Sequence, residues 1–153
     1  KGNVVIELFP DLAPGHVERI KELARAGEYD GVVFHRVIDG FMAQTGDVSN
    51  GKAGGDLSMA GMGGSSLPDI PAEFSTSLSF QRGVVGMARA ADPNSANSQF
   101  FIMFAPGEFL DGQYTIVGNV ISGMEIVDAI KRGDGQNGEV SSSPDVMTKV
   151  TVQ

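Results

Sequence analysis

A mainly antiparallel β domain, barrel or sandwich, is the fold this sequence predicts, and three observations carry it. The 153 residues suffice for one core, expected as a single domain over 1–153, with 41% hydrophobic and 20% charged residues, unlike a disordered chain. The 21 glycines, about twice the usual share of roughly 7%, follow no three-residue period, which excludes collagen and implies many tight turns. About seven short β-rich segments outnumber two helical stretches and do not alternate with them as βαβ units would.

Val4, Ile6 and Leu8 alternate with Val5 and Glu7 as in a half-buried strand. Val17, Ile20, Leu23 and Ala24 then recur at helical spacing while Glu18, Arg19, Glu22 and Arg25 face away. An amphipathic helix is predicted there, with Pro14 in its first turn and Gly27 just past its end. Residues 32–37 are rich in β-branched side chains, and 41–45 resume after the turn dipeptide Asp39-Gly40. Residues 47–77, dense in Gly, Ser, Asn and Pro, predict a long surface excursion, a kind of loop that is usually functional. Strands follow at 84–88, 99–104 and 115–120. Met124, Val127 and Ala129-Ile130 predict a short helix between Gly123 and Gly133 that ends at glycine. Residues 146–152 are expected to close the chain as a strand.

Net charge is −8 and the 11 Lys and Arg residues are scattered singly, so neither a nucleic-acid backbone nor an anionic membrane is an expected partner. Zero cysteines exclude disulfides, thiol catalysis and thiolate zinc sites. Two histidines far apart suggest no metal, and no cofactor is expected. No apolar run approaches the ~20 residues of a membrane span. The expected compartment is the cytoplasm, with the periplasm as the alternative because the chain opens on Lys1 rather than methionine.

Three stretches carry the chemistry. Phe34-His35-Arg36-Val37-Ile38-Asp39-Gly40-Phe41-Met42-Ala43-Gln44-Thr45-Gly46-Asp47 sets an arginine on a strand and an aromatic, a thioether and an amide just after a turn. By burial tendency alone, Phe41 and Met42 read as core and Arg36 as a surface cation. Asn94-Ser95-Ala96-Asn97-Ser98-Gln99-Phe100-Phe101-Ile102 ends a polar loop in a strand with adjacent phenylalanines on opposite faces, one of them core and the other exposed or in a pocket. Phe109-Leu110-Asp111-Gly112-Gln113-Tyr114 again sets large apolar groups around a turn.

In this order and spacing, the three stretches resemble the cyclophilins, peptidyl-prolyl cis/trans isomerases, and the likeness covers nearly the whole chain, most closely that of bacterial members. The resemblance implies an eight-stranded antiparallel closed barrel capped by two α-helices, with an active groove on its outer wall. By position it implies Arg36, Gln44 and Phe41 as the catalytic set, with Phe41, Met42, Phe101 and Leu110 receiving the proline ring. Phe109 and Tyr114 complete the apolar wall, Ala88, Arg89, Ala90 and Gln99 contact the residues before the proline, and Gly51 matches a glycine on the groove's far wall. His35 is expected to be a buried, hydrogen-bonded structural residue facing away from Arg36. The resemblance also puts a strand upstream of Lys1-Gly2-Asn3, whose residues suit a hairpin turn, to pair with residues 4–8.

Phe109 stands where many eukaryotic members have tryptophan, Tyr114 where they have histidine, and Arg89 where they have asparagine. The expected partners are proline-containing peptides and unfolded proteins, bound by a monomer, with cyclosporin binding weakened by the missing indole donor. The chemistry suits the residues: rotation about an imide bond transfers no proton, so no acid–base pair is needed. A guanidinium can instead donate to the substrate carbonyl, or to the imide nitrogen as its lone pair localises in the twisted state. Two other classes compete. A proline-peptide binding module or chaperone of the same fold would hold segments without turning them over. A carbohydrate-binding β protein would need aromatic platforms, poorly met by no Trp and two Tyr.

Overall fold

Eight short strands and two helices form in the computed structural model, which describes residues 1–153. In chain order they are β1 (Val5–Leu8), α1 (Pro14–Arg25), β2 (Val32–Val33), β3 (Arg36–Ile38), β4 (Met42–Thr45), β5 (Val84–Met87), β6 (Phe100–Met103), β7 (Ile116–Ser122), α2 (Met124–Asp128) and β8 (Val146–Met147). Six strands make one antiparallel sheet in the order β1-β7-β5-β6-β4-β3, and β2 pairs with β8 in a separate ribbon. No helix is long and apolar enough to cross a membrane.

Period-two alternation divides these strands between two apolar clusters. Val37, Ala43, Val85, Phe100, Ile102 and Val117 point into the larger one, closed by Leu23 and Ala24 of α1 and Val127 of α2. Met42, Phe101, Met103 and Ile116 point the other way and pack with Phe80 and Leu110. Burial of each such large side chain contributes about 1.5–3 kcal/mol. The sheet is thus apolar on both faces, and the second, partly covered face becomes the floor of a groove.

The extended run expected over 32–37 is two strands, because the backbone at Phe34 turns to other partners: Val33 N donates to the Gly51 carbonyl and Phe34 N to that of Asp145. Helix α2 ends at Asp128, with Ala129 as its C-cap, rather than at Gly133. Ile130 N closes a tight turn on the Val127 carbonyl, and the Arg132 guanidinium takes the carbonyls of Asp128 and Ile130. The closing strand keeps only Val146–Met147, since Val150 N donates to the Asp30 carboxylate instead of a ladder partner. β1 ladders with β7 alone, so its outer edge takes no partner from residues 1–153. The outer edge of β3 is covered: Val37 N reaches the Gly138 carbonyl and Val140 N the His35 carbonyl.

Excursion 47–77 forms no strand or helix, but it is not purely a surface feature: Asp47, Val48, Gly51 and Ile70 are buried. Its far end supplies a cap that α1 lacks locally. Ala13, at the N-cap position, has no side-chain acceptor, and the Glu73 carboxylate takes the N–H groups of Gly15 (3.1 Å) and His16 (2.9 Å) and the His16 Nδ1 (2.5 Å). A carboxylate there also meets the positive end of the helix dipole. Burial alone would raise the Glu73 pKa, but the His16 ring and the two N–H groups outweigh it and hold the carboxyl below its usual range. A depressed carboxyl stabilises the fold above its unfolded pKa of about 4.3, and that contribution is lost as pH falls through the lowered value. Glu73→Gln is therefore expected to cost about 1 kcal/mol at pH 7. In urea unfolding, the gap to the unmodified protein should close as the carboxyl protonates in acid.

Candidate active site

Ladder register builds the site. Arg36 on β3 lies opposite Gln44 on β4, Gln44 opposite Phe101 on β6, and Phe101 opposite Gly86 on β5, so one row crosses four strands on the groove face. The β3–β4 turn uses Gly40 at φ +73°, a conformation other side chains rarely adopt. Gly86 is required by packing: a Cβ there would lie 2.6 Å from the Phe80 ring and 2.7 Å from that of Phe101. Those two rings stack at 5.7 Å, and Tyr114 meets Phe101 edge-on at 5.8 Å. Phe41 packs on Phe109 at 5.6 Å, leaving Phe109 71% exposed at the rim.

The result is a groove of about 1080 Å³ that brings together Arg36, Phe41, Met42, Gln44, Ala88, Arg89, Phe101, Phe109, Leu110 and Tyr114. Ala90 and Gln99 line an adjoining recess of about 470 Å³, which shares Gln44, Ala88 and Arg89 with the groove. Gly51 lies in neither. It is buried beneath, where its N–H meets the Asp47 carbonyl and its own carbonyl accepts from Val33, and a Cβ would come within 2.6 Å of the Asp47 carbonyl oxygen. It is a tight-turn residue rather than part of the wall.

A continuous hydrogen-bond chain holds the cation. Arg36 donates from Nε to the Asn137 carbonyl (2.8 Å) and from Nη1 to Gln44 Oε1 (3.1 Å). Gln44 Nε2 donates to Gln99 Oε1 (2.9 Å), and Gln99 Nε2 to the carbonyls of Gly61 and Gly63 (2.9 and 2.8 Å). The N–H groups of those two glycines donate in turn to Asp47 Oδ2 (2.8 and 2.9 Å). Its other oxygen accepts from the backbone of Asn50 and Ser49. Burial would raise the Asp47 pKa, yet these N–H donors outweigh it and hold the carboxyl below the ordinary range. Nη2 of Arg36 has no partner within the protein.

His35 departs from expectation. It lies in the link before β3, where strand alternation no longer applies, and its ring lines the groove beside Gly61. Its Nδ1 is buried without a hydrogen-bond partner. Burial lowers its pKa, the Asp47 charge opposes this, and Arg36 lowers it further. Arg89 is committed inward: Nε and Nη2 reach the Gln113 carbonyl (3.0 and 2.7 Å), Nη1 the Ala90 carbonyl, and the guanidinium stacks 4.4 Å from the Tyr114 ring centre. It braces the Tyr114 turn. Asp47 carried a readable signal, since Asp47-Val48-Ser49-Asn50 suits a side-chain-capped turn. Asn137 and Phe80 carried none.

No group of three or more His, Cys, Asp or Glu side chains is placed to hold a metal ion. The arrangement offers an apolar floor for a ring and a tethered cation with a free donor at its edge. Known proteins resemble the chain as a whole in sequence and fold. The family model for cyclophilin type peptidyl-prolyl cis-trans isomerase matches residues 1–152. A probable peptidyl-prolyl cis-trans isomerase of Brucella suis is 59% identical over 155 residues, 99% of this chain and 78% of the relative. The peptidyl-prolyl cis-trans isomerase ppi1 of Schizosaccharomyces pombe is 40% identical over 128 residues, 82% of this chain and 76% of its own. A Cryptosporidium parvum cyclophilin type isomerase, solved in the presence of the dipeptide Ala-Pro, matches with TM-score 0.83 at 26% identity. That match covers 99% of this chain and 93% of the other.

Proposed function

Because the chain belongs to the cyclophilin-type peptidyl-prolyl cis-trans isomerase family, we propose that its groove holds an Xaa-Pro segment with the proline ring on Phe101 and the imide beside Arg36. The chain is an isomerase of Xaa-Pro bonds. The geometry supports a specific role for each residue. Met42, Phe101 and Leu110 form the apolar seat, and Phe41 and Phe109 wall it on one side. The smaller recess, with Ala90 and Gln99, takes the residues that precede the proline. Gln44 and the Asn137 carbonyl hold the Arg36 guanidinium at the lip of the seat, with Nη2 left to reach the substrate.

Rotation of the bond faces a barrier of about 18–20 kcal/mol. Uncatalysed exchange takes tens of seconds, so bringing it to milliseconds means roughly 10⁴-fold, or about 5.5 kcal/mol. A charge-assisted hydrogen bond formed chiefly in the twisted state, with the ring fixed against Phe101, is of that size. The observation that carries this reading is the free Nη2 of a doubly tethered arginine beside an apolar pocket. It is tested by exchange NMR on an Ala-Pro peptide, where catalysis broadens or exchanges the cis and trans signals and a groove that only binds leaves their exchange rate unchanged.

Cyclosporin is expected to bind weakly. Phe109 keeps ring area at the rim but has no N–H to donate, a loss worth about 0.5–1.5 kcal/mol. Phe109→Trp should tighten binding by about tenfold in a titration; an unchanged Kd would show that Phe109 is not the cause.

A further inference from the structure

The groove does not end at Arg36. Ladder order runs from Phe101 on β6 through Gln44 on β4 to Arg36 on β3, and the stretch ending at Val140 lies against the outer edge of β3. Beyond Arg36 the same cavity continues into a lobe walled by Val33, by Leu57 and Ala60 of the excursion, and by Val140 and Pro144. Backbone bonds fix two of these walls: Val33 N to the Gly51 carbonyl (2.8 Å) and Val140 N to the His35 carbonyl (3.0 Å). The smaller recess lies beside β5 and β6, and Gly61 and Met62 border both cavities.

We propose that this lobe is a subsite for an apolar side chain carried by one of the two residues that follow the proline. The proposal rests on the groove reading above, in which the preceding residues occupy the smaller recess. Strands lie about 4.8 Å apart, so β6 to β3 spans roughly 10 Å, a distance that two extended residues of about 3.3 Å each and one side chain cover. Five apolar side chains, Val33, Leu57, Ala60, Val140 and Pro144, line the lobe between the polar Ser58, Asn137 and Ser141, in the same cavity as the proline seat. Met62, 75% exposed at the mouth, adds a flexible thioether that adapts to different shapes. Glu139 stands at the edge of the lobe, and a chain of net charge −8 disfavours an acidic residue there. Segments with a large apolar residue just after proline, typical of unfolded chains, are then the favoured substrates.

The test is exchange NMR on Ala-Ala-Pro peptides followed by Phe-Phe, Gly-Gly or Glu-Glu. The Phe peptide should show kcat/KM about tenfold above the Gly peptide, with Glu lowest. Leu57→Ser and, independently, Ala60→Asp should bring the Phe-to-Gly ratio to about one, whereas Ile121→Ser, on β7 at the far side of the sheet, should leave it unchanged. A ratio of one in the unmodified protein, or a ratio that survives both lobe substitutions, overturns the subsite. Failure to catalyse any of the peptides would instead overturn the groove reading on which the subsite rests.

Discussion

Arg36→Ala is expected to lower kcat/KM for a proline peptide by about 10²-fold or more, equivalent to roughly 2.7 kcal/mol of transition-state stabilisation. Of the residues bordering the proline seat, Arg36 alone combines a positive charge with a donor left unpaired; Arg89 is spent on the carbonyls of Gln113 and Ala90. Stability should barely change, by about 0.5 kcal/mol, because the Asn137 carbonyl it leaves is at the surface. Arg36→Lys keeps the charge but loses the planar fork that binds Gln44 and the Asn137 carbonyl together, so it should fall between the two. Near-full activity in the alanine variant would refute the role assigned to Arg36.

Asp47→Ala is expected to have the largest effect on stability, about 3 kcal/mol, because it leaves several part-buried N–H donors of the excursion without an acceptor. For a chain of this size that is a fall in Tm of roughly 10 °C. No cation pairs with this carboxylate, so the backbone N–H groups of Ser49, Asn50, Gly61 and Gly63 offset its burial. Activity should fall as well. Gly61 and Gly63 hold Gln99, which holds Gln44, which orients Arg36. With its pKa held down, Asp47 stabilises the fold above the unfolded carboxyl value of about 3.9, and that support is lost as pH falls through the lowered folded value. Thermal unfolding across this range checks the sign: the Tm difference between Asp47→Ala and the unmodified protein should shrink in acid. A difference that is constant with pH would mean the carboxylate charge is not the source.

The readable part of the site is local. Alternation around Gly40 places Arg36 and Gln44 on one face, and the Phe100-Phe101 pair divides as strand geometry requires: Phe100 meets Tyr29 in the larger cluster and Phe101 floors the groove. What was not readable is made by contacts between distant segments. Asn137 reaches Arg36 across 101 positions, and Glu73 caps a helix from 58 positions away. The same holds for Gly51, whose carbonyl is held beneath the groove by the N–H of the distant Val33. His35 misled because alternation was extended past the end of a strand, into the link where Phe34 N turns to Asp145. Hydrophobic period carries no information on where such a break falls, since it is imposed by the partner segment.

The central claim is that Arg36 acts on the twisted state rather than on substrate binding. Exchange NMR on the Arg36→Ala protein saturated with an Ala-Pro peptide separates the two, because it gives the on-enzyme cis–trans rate and the peptide Kd in one titration. The predicted result is an on-enzyme rate lowered by about 10²-fold with Kd changed by less than about threefold. A Kd weakened by the full factor, with the on-enzyme rate retained, would contradict it and make Arg36 a binding residue only.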